Sequence, residues 1–321
     1  MINLWKKFSF AFAAVTLAGS VLSQTKFPDK PVRIIVPYPA GISPDVVARL
    51  LAEKLSRLWG QPVIIDNRPG ASGMIGAEAA AKSPGDGYTL LIAVTAIMSM
   101  NPHLYEKLPY DPLRDFKFVT HILNVPFVLT AAISTPYNSV GELLEEARKN
   151  PGKINYATLG PGSHSHTAME WLMNLTKTRM TQIPYKGSPL TEMMGGQVSL
   201  YLDPIVTSQA LIAGQKVKAL GVSSGKRSPV LPNVPSISES IPGFETYAFQ
   251  GIYVPKDTPA EIVEKLNSDL VKVIRMPEIQ KKLQEFGYLP IGSTSDEFEK
   301  MARQDYDFWG KLIKEYNIKL E

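Results

Sequence analysis

The chain has no cysteine among its 321 residues. That excludes disulfide staples, a lipid-anchored N-terminal Cys and any thiolate metal site. A chain of this length has core enough to fold without them. Long apolar runs are also scarce. The longest, Phe8 to Leu22, is 15 uncharged residues, short of the roughly 20 that a membrane helix needs. No run of one sign of charge occurs. Lys plus Arg number 34 against 30 Asp plus Glu, and setting aside Lys6 and Lys7 leaves 32 against 30. Such a balance gives a mixed surface and no footprint for nucleic acid. Histidine is rare, with four in all. There is no HExxH, so metal-dependent hydrolysis has no motif here.

What is present begins with an N-terminal address. Lys6 and Lys7 precede the apolar run, and Val21 and Ser23 are small residues before Gln24. This layout predicts a secretory signal peptide over residues 1–23, cleaved near Ser23/Gln24, and a mature chain in the periplasm. An uncleaved anchor is the alternative, disfavoured by the length of the run.

From Val32 onward, strand and helix patterns alternate. Val32 to Val36 is apolar but for Arg33, as expected of a strand buried on both faces. Ser43 is expected to cap the next helix, with Pro44 at its first position and Asp45 at its positive end. Val46, Val47, Leu50, Leu51, Leu55, Leu58 and Trp59 then recur at helical spacing until Gly60. Strands at Pro62 to Asp66 and Thr89 to Thr95, with a helix at Met74 to Lys82, complete a βαβαβ unit. The class is therefore α/β with parallel sheets flanked by helices. Two apolar runs follow, Val119 to Leu123 and Val125 to Ile133. A second series starts with a helix capped by Ser139 and includes strands at Ile154 to Thr158, Thr181 to Tyr185, Val198 to Asp203 and Val217 to Val222. A strand at Phe249 to Val254 precedes a helix that Thr258 is expected to cap. The amphipathic segment Pro277 to Glu321 is expected to pack back on the first unit. The chain would then cross between units near residues 124 and 245, which makes a hinge and a cleft.

Two loops stand out. Pro39-Ala40-Gly41 leads into Ser43-Pro44-Asp45, and Gly160-Pro161-Gly162-Ser163 leads into the helix carrying His166. Each follows a strand expected to be parallel, where open α/β sheets bind ligands. Each helix start offers free N–H groups and a partial positive charge. Either loop alone is equally an ordinary tight turn. Facing one another, the two would hold a small dicarboxylate at both ends. Gly160-x-Gly162 lacks the remaining glycine of a dinucleotide fingerprint and the Lys of a P-loop. His164 and His166 are expected to point apart on a helix start. His166 reads as a hydrogen-bonding support, and His103 and His121 as structural. Gly221-x-Ser223-x-Gly225 matches the nucleophile elbow, but no histidine follows it and Lys226-Arg227 replaces an apolar helix. It is a strand-end turn on this reading. Asp203 ends an apolar strand and is either a ligand acceptor or a helix cap. Lys186, at another strand end, either adds charge to the anion site or is a surface lysine.

Taken together, FPDKPVRIIVPYPAG (Phe27 to Gly41), WGQPVIIDNRPGASGMIGAE (Trp59 to Glu78), NPHLYEKLPYDPLRDF (Asn101 to Phe116), INYATLGPGSHSH (Ile154 to His166) and GGQVSLYLD (Gly195 to Asp203) resemble the solute receptors of tripartite tricarboxylate transporters. These are also called TctC-like or Bug receptors. The resemblance runs over nearly the whole chain after residue 23. It implies a two-lobed type II periplasmic binding fold, each lobe a mainly parallel sheet flanked by helices, with the ligand cleft between them. Residues 24–123 and 245–321 would form one lobe and residues 124–244 the other. It implies a monomer without cofactor or metal. Such a receptor captures a carboxylate, dicarboxylate, amino acid or related acid and passes it to a membrane transporter in a transient contact. On the family pattern the ligand loops correspond to Pro39, Ala40, Gly41 and Asp45, and to Gly160, Gly162, Ser163 and His166. Thr95 and Ala96 lie on a further loop. Two departures bear on ligand identity: Ile42 stands where the family has a second glycine, and the loop Lys186 to Leu190 is two residues shorter. A sensor signalling to a partner protein and a secreted enzyme using the same cleft are the competing functions.

Overall fold

A computed structural model describes residues 27–320; the expected signal peptide lies outside the described residues. The first sheet is built from β1 (Val32–Val36), β2 (Val63–Asn67) and β3 (Thr89–Val94). β1 runs parallel to both of the others. α1 (Ser43–Trp59) and α2 (Met74–Ala81) connect them, and two short helices, α3 (Asn101–Leu104) and α6 (Leu190–Met194), lie further along the chain. β1 is buried except at Arg33, and β3 is buried throughout. α1 turns Val47, Leu51, Leu55 and Trp59 inward, each worth about 1.5–3 kcal/mol when fully buried. The indole N–H of Trp59 donates to Asp269 Oδ2 at 2.6 Å, fixing α1 to the C-terminal helices.

The two apolar runs expected after residue 118 are one strand, β4 (Phe116–Ala132). The polar residue between them, Asn124, does not end pairing: its backbone stays in register with Phe249, and its amide oxygen meets His121 Nε2 at 2.9 Å. β4 belongs to two sheets. From Phe116 to Pro126 it pairs antiparallel with β9 (Tyr247–Pro255), which also pairs with β3. From Phe127 onward it pairs with β7 (Leu200–Pro204) on one side and β8 (Val217–Val222) on the other. Beyond β7 lie β5 (Asn155–Thr158) and β6 (Thr181–Pro184), parallel to one another. Each sheet thus has the parallel core that the alternating pattern predicts, extended by antiparallel strands. Pro126 sits at the changeover, where a residue without an N–H costs no ladder bond.

Ser223 closes this changeover. It is fully buried; its Oγ donates to the Thr246 carbonyl (2.6 Å) and accepts from the Phe127 N–H (2.9 Å). Its backbone bonds Phe127 and Thr246 as well. The GxSxG match is therefore a strand-end clasp, as the sequence context suggested.

Two expected caps are corrected. Ile42, not Ser43, is the N-cap of α1, and no side chain caps it. Ser43 is drawn inward by two side-chain donors described below. Pro259, not Thr258, precedes α8 (Ala260–Ile274); the Thr258 hydroxyl instead donates to Pro255 O. Ser139 does cap α4 (Val140–Lys149), accepting from the Glu142 N–H. After α9 (Pro277–Glu285), the last helix, α10 (Ser295–Glu315), lies against β9. Its Phe298 ring occupies the space over Gly251, where an added Cβ would come within 2.0 Å of the ring. Further along α10, Trp309 packs edge-on to His164 and Trp171.

Ser223→Ala should leave the Phe127 N–H buried without a side-chain partner. A loss of about 1–3 kcal/mol in urea unfolding is expected; an unchanged midpoint would rule out the clasp.

Candidate ligand-binding site

The first wall of the site is the turn from β1 into α1. Gly41 takes φ +85°, a conformation that glycine adopts without strain. Its N–H donates to Asp45 Oδ2 (2.8 Å), which also accepts from Arg49 Nε (2.9 Å). Asn67 Nδ2 donates to Asp45 Oδ1 (2.9 Å) and to the Tyr38 carbonyl (3.1 Å). Burial alone would push the Asp45 carboxyl up. The bonds from Arg49, Gly41 and Asn67, with the Arg49 charge, outweigh that and hold it below the usual range. Asp45, only 2% exposed, therefore ties down the loop.

The second wall is the turn from β5 into α5 (His164–Thr176). Gly160 and Gly162 have φ +97° and +75°. Ser163 caps α5: its Oγ accepts from the His166 N–H (3.3 Å) and donates to the Gly160 carbonyl (2.7 Å). The Gly162 N–H donates to His166 Nδ1 at 3.2 Å, which requires that nitrogen to be unprotonated. Burial pushes His166 down to about 4, so it is neutral at pH 7.

Between the two walls lies a cavity of about 120 Å³. Tyr38, Ile42, Ser43 and Pro44 line one side, and Leu159, Gly162, Ser163, His164 and Ser165 the other. Its floor is formed by Val125 and Phe127 of β4, Ala248 and Gln250 of β9, and Tyr201 and Leu202 of β7. Among the described residues, no Asp, Glu, Lys or Arg lines it. Ser72 Oγ bridges the rims, donating to the Pro161 carbonyl (3.2 Å) beside the Tyr105 hydroxyl (2.9 Å).

Three polar groups around the cavity have unspent capacity. Ser43 Oγ accepts from Gln250 Nε2 (2.7 Å) and from the Tyr288 hydroxyl (2.6 Å). Burial raises the Tyr288 pKa, which keeps it a donor. With both lone pairs engaged, the Ser43 hydroxyl proton remains to be donated. Gln250 is 1% exposed, and its Oε1 has no partner among the described residues. His164 Nε2 lies 3.0 Å from Thr246 Oγ1, and its ring stacks on Phe127 at 4.3 Å. Burial pushes its pKa down to about 3, and its Nδ1 has no partner among the described residues. The first-turn N–H groups of Ser43, His164 and Ser165 have no acceptor within their own helices.

Of the residues expected from the sequence, Ala96, Gly162 and Ser163 line the cavity. Thr95 lies just behind it, accepting from the Phe249 N–H (2.8 Å). Asp45, Gly160 and His166 brace the two turns. Pro39, Ala40 and Gly41 are exposed and lie outside the cavity lining, as does Lys186. Asp203 is buried and accepts from Ser208 Oγ (2.5 Å) and from Thr207 Oγ1 at the start of α7 (Ile205–Ala213). It is not the expected cap: Pro204 is the N-cap of α7, no side chain caps that helix, and Asp203 bonds side-chain hydroxyls rather than first-turn N–H groups. Burial raises its pKa to about 6, against the pull of Ser208, Thr207 and Tyr201. Ser43, His164 and Gln250 were missed. Gln250 had a signal: it is the one polar side chain inside the apolar run Phe249 to Val254.

A model of the tripartite tricarboxylate transporter family receptor, TctC, matches residues 47–318. The chain belongs to this family. Among solved structures, it is 34% identical to Rpa4515 of R. palustris with adipate, at a TM-score of 0.87, covering 91% of this chain and 99% of that one. It is 32% identical to the periplasmic binding protein BugD, at a TM-score of 0.84 over 91% and 99% of the chains. It is 29% identical to MatC from Rhodopseudomonas palustris with bound malate, at 0.83 over 89% and 100%. The fold is thus the α/β periplasmic binding protein fold, and the chain is a solute-binding receptor of the TctC/Bug family. The family is one of receptors, not enzymes.

The buried histidines give a pH dependence of defined sign. Unfolded His166 takes a proton near pH 6.5, whereas the folded group does so near 4. Its contribution is complete above 6.5 and is lost as pH falls toward 4, by about 2 kcal/mol at pH 5. Asp203, raised from 3.8 to about 6, acts in the opposite sense, favouring the fold at the acidic end of its window. Comparing wild type with His166→Gln at pH 7 and pH 5 isolates the first effect. The variant should lose less stability in urea titrations on acidification; an equal loss would refute it.

Proposed function

We propose that this TctC-family receptor captures a small dicarboxylate between the α1 and α5 turns and presents it to a membrane transporter. The observation that carries the reading is a neutral cavity with a helix start on each side. A carboxylate at each end of the ligand would meet one helix start. On the α1 side the donors are the Ser43 hydroxyl and N–H. On the α5 side they are the N–H groups of His164 and Ser165, joined by His164 Nδ1 in its protonated tautomer. Gly162 and Ser163 shape the α5 turn, while Gly41, Asp45, Gly160 and His166 hold the turns in place. Thr95 and Ala96 would back the site. Pro39, Ala40, Lys186 and Asp203 would have at most indirect roles. The ligands named with Rpa4515 and MatC, adipate and malate, support a dicarboxylate.

The reading includes a two-lobed movement. Residues 27–123 and 245–320 would move against residues 124–244, with β4 and β9 as the hinge strands. The Ser72–Pro161 bond would then belong to the closed form. Export to the periplasm would remove residues 1–23, and the receptor would act as a monomer. The family membership favours transport over signalling.

Calorimetry and thermal shift with adipate and malate test the site. A dicarboxylate at a hundredfold excess over its Kd should stabilise the protein by about 2.7 kcal/mol. Gly162→Val places a branched side chain at φ +75°, against Asn101 and Tyr105, and should weaken affinity at least about tenfold. Failure of every small dicarboxylate to raise Tm would sink the proposal.

A further inference from the structure

We infer that the receptor selects a carboxylate bearing a hydroxyl next to its carboxyl group, and that Gln250 reads that hydroxyl. The inference rests on the dicarboxylate reading above and names the kind of dicarboxylate.

The argument starts from the pairing of Ser43 and Gln250. Gln250, in the floor beside Ser43, spends Nε2 on Ser43 Oγ at 2.7 Å, which leaves its Oε1 without a partner among the described residues. Ser43, which also accepts from Tyr288, keeps its proton. One spare donor and one spare acceptor therefore stand one side-chain amide apart, both on residues that line the cavity. A bare carboxylate satisfies only the donor, because an ionised carboxyl group has no proton to give. A group with an acceptor oxygen and, one carbon away, a donor satisfies both. A 2-hydroxycarboxylate has that arrangement, with the carboxylate on Ser43 and the hydroxyl donating to Oε1.

A 2-amino acid has the same spacing, but its ammonium would need a counter-charge. Among the described residues, no Asp or Glu lines the cavity. Two carboxylates next in sequence to lining residues are already bonded: Asp45 to Gly41, Arg49 and Asn67, and Asp203 to Thr207 and Ser208. Burying an unpaired ammonium is costly, whereas a hydroxyl needs only one acceptor. Leaving Oε1 without a partner beside a bound ligand carries the penalty of an unmade buried hydrogen bond. Sites built around a substrate hydroxyl reject the analogue that lacks it for this reason.

The test uses two pairs of ligands that differ only in the hydroxyl, malate against succinate and 2-hydroxyadipate against adipate. Calorimetry on the wild-type protein should give at least about tenfold tighter binding for the hydroxylated member of whichever pair fits. Gln250→Leu should compress that ratio to within about twofold, mainly by weakening the hydroxylated ligand. Gln250→Met, closer in volume, repeats the measurement should the Leu variant not fold. Equal wild-type affinities within a pair would overturn the inference while leaving the dicarboxylate reading standing. They would mean that the amide presents Nε2, not Oε1, to the ligand. A ratio that survives substitution of Gln250 would overturn the assignment to this residue. Tighter binding of aspartate than of malate would overturn the choice of hydroxyl over ammonium. Failure of all four dicarboxylates to bind would overturn both readings together.

Discussion

Everything in the site hangs on the pair of strands that carry the chain from one sheet to the other. β4 pairs with β9 as far as Pro126 and with β7 and β8 from Phe127. At that point the ladder changes partners, and backbone groups would go unpaired in the middle of the molecule. Ser223 fills the gap with its hydroxyl and its own backbone. Because Phe127 and Thr246 are held there, the Phe127 ring can stack on His164 and the Thr246 hydroxyl can meet His164 Nε2. The floor and one wall of the cavity are thus positioned by the same junction.

On the proposed reading the cavity would hold a carboxylate without positive side chains. A helix start contributes about 0.3–2 kcal/mol toward an anion, while micromolar binding needs roughly 8 kcal/mol. The remainder must come from hydroxyls, amide groups and the exclusion of water by Ile42, Val125, Phe127 and Leu202. Preorganisation makes these small contributions add. Asp45 holds the α1 turn, His166 holds the α5 turn, and Tyr288 with Gln250 fixes the Ser43 oxygen. Neutral donors fixed in this way hold a ligand without the desolvation cost of a buried ion pair.

Much of this was legible in the sequence, and the residues show why. The alternation of apolar strands and periodic helices gave the sheets, since period and burial are local properties. The glycine turns announced both helix starts, because a positive φ favours glycine. What remained hidden depended on residues far apart in the chain. Ser43 looks like a cap by spacing, but Gln250 and Tyr288, more than 200 positions away, pull its hydroxyl inward. Asp203 looks like a ligand group at a strand end, but its oxygens meet hydroxyls of the next helix. Of two histidines in one turn, His164 faces the cavity and His166 braces the loop, a distinction set by the fold around them. The continuous β4 was split in two because Asn124 interrupts the apolar pattern, and the strand residue it pairs with, Phe249, lies far along the chain.

Gly251 never touches the cavity, yet the cavity's shape passes through it. The bare backbone there lets Phe298 settle onto β9, and that seat fixes how deeply the whole of α10 sits. About three turns along the same helix, Trp309 leans on the back of the His164 ring. A side chain at position 251 would lift the helix like a wedge under a beam, and the lift would arrive at the histidine. Ligand preference in this receptor is therefore open to alteration from a residue buried behind the sheet, without any change to the groups that face the solute.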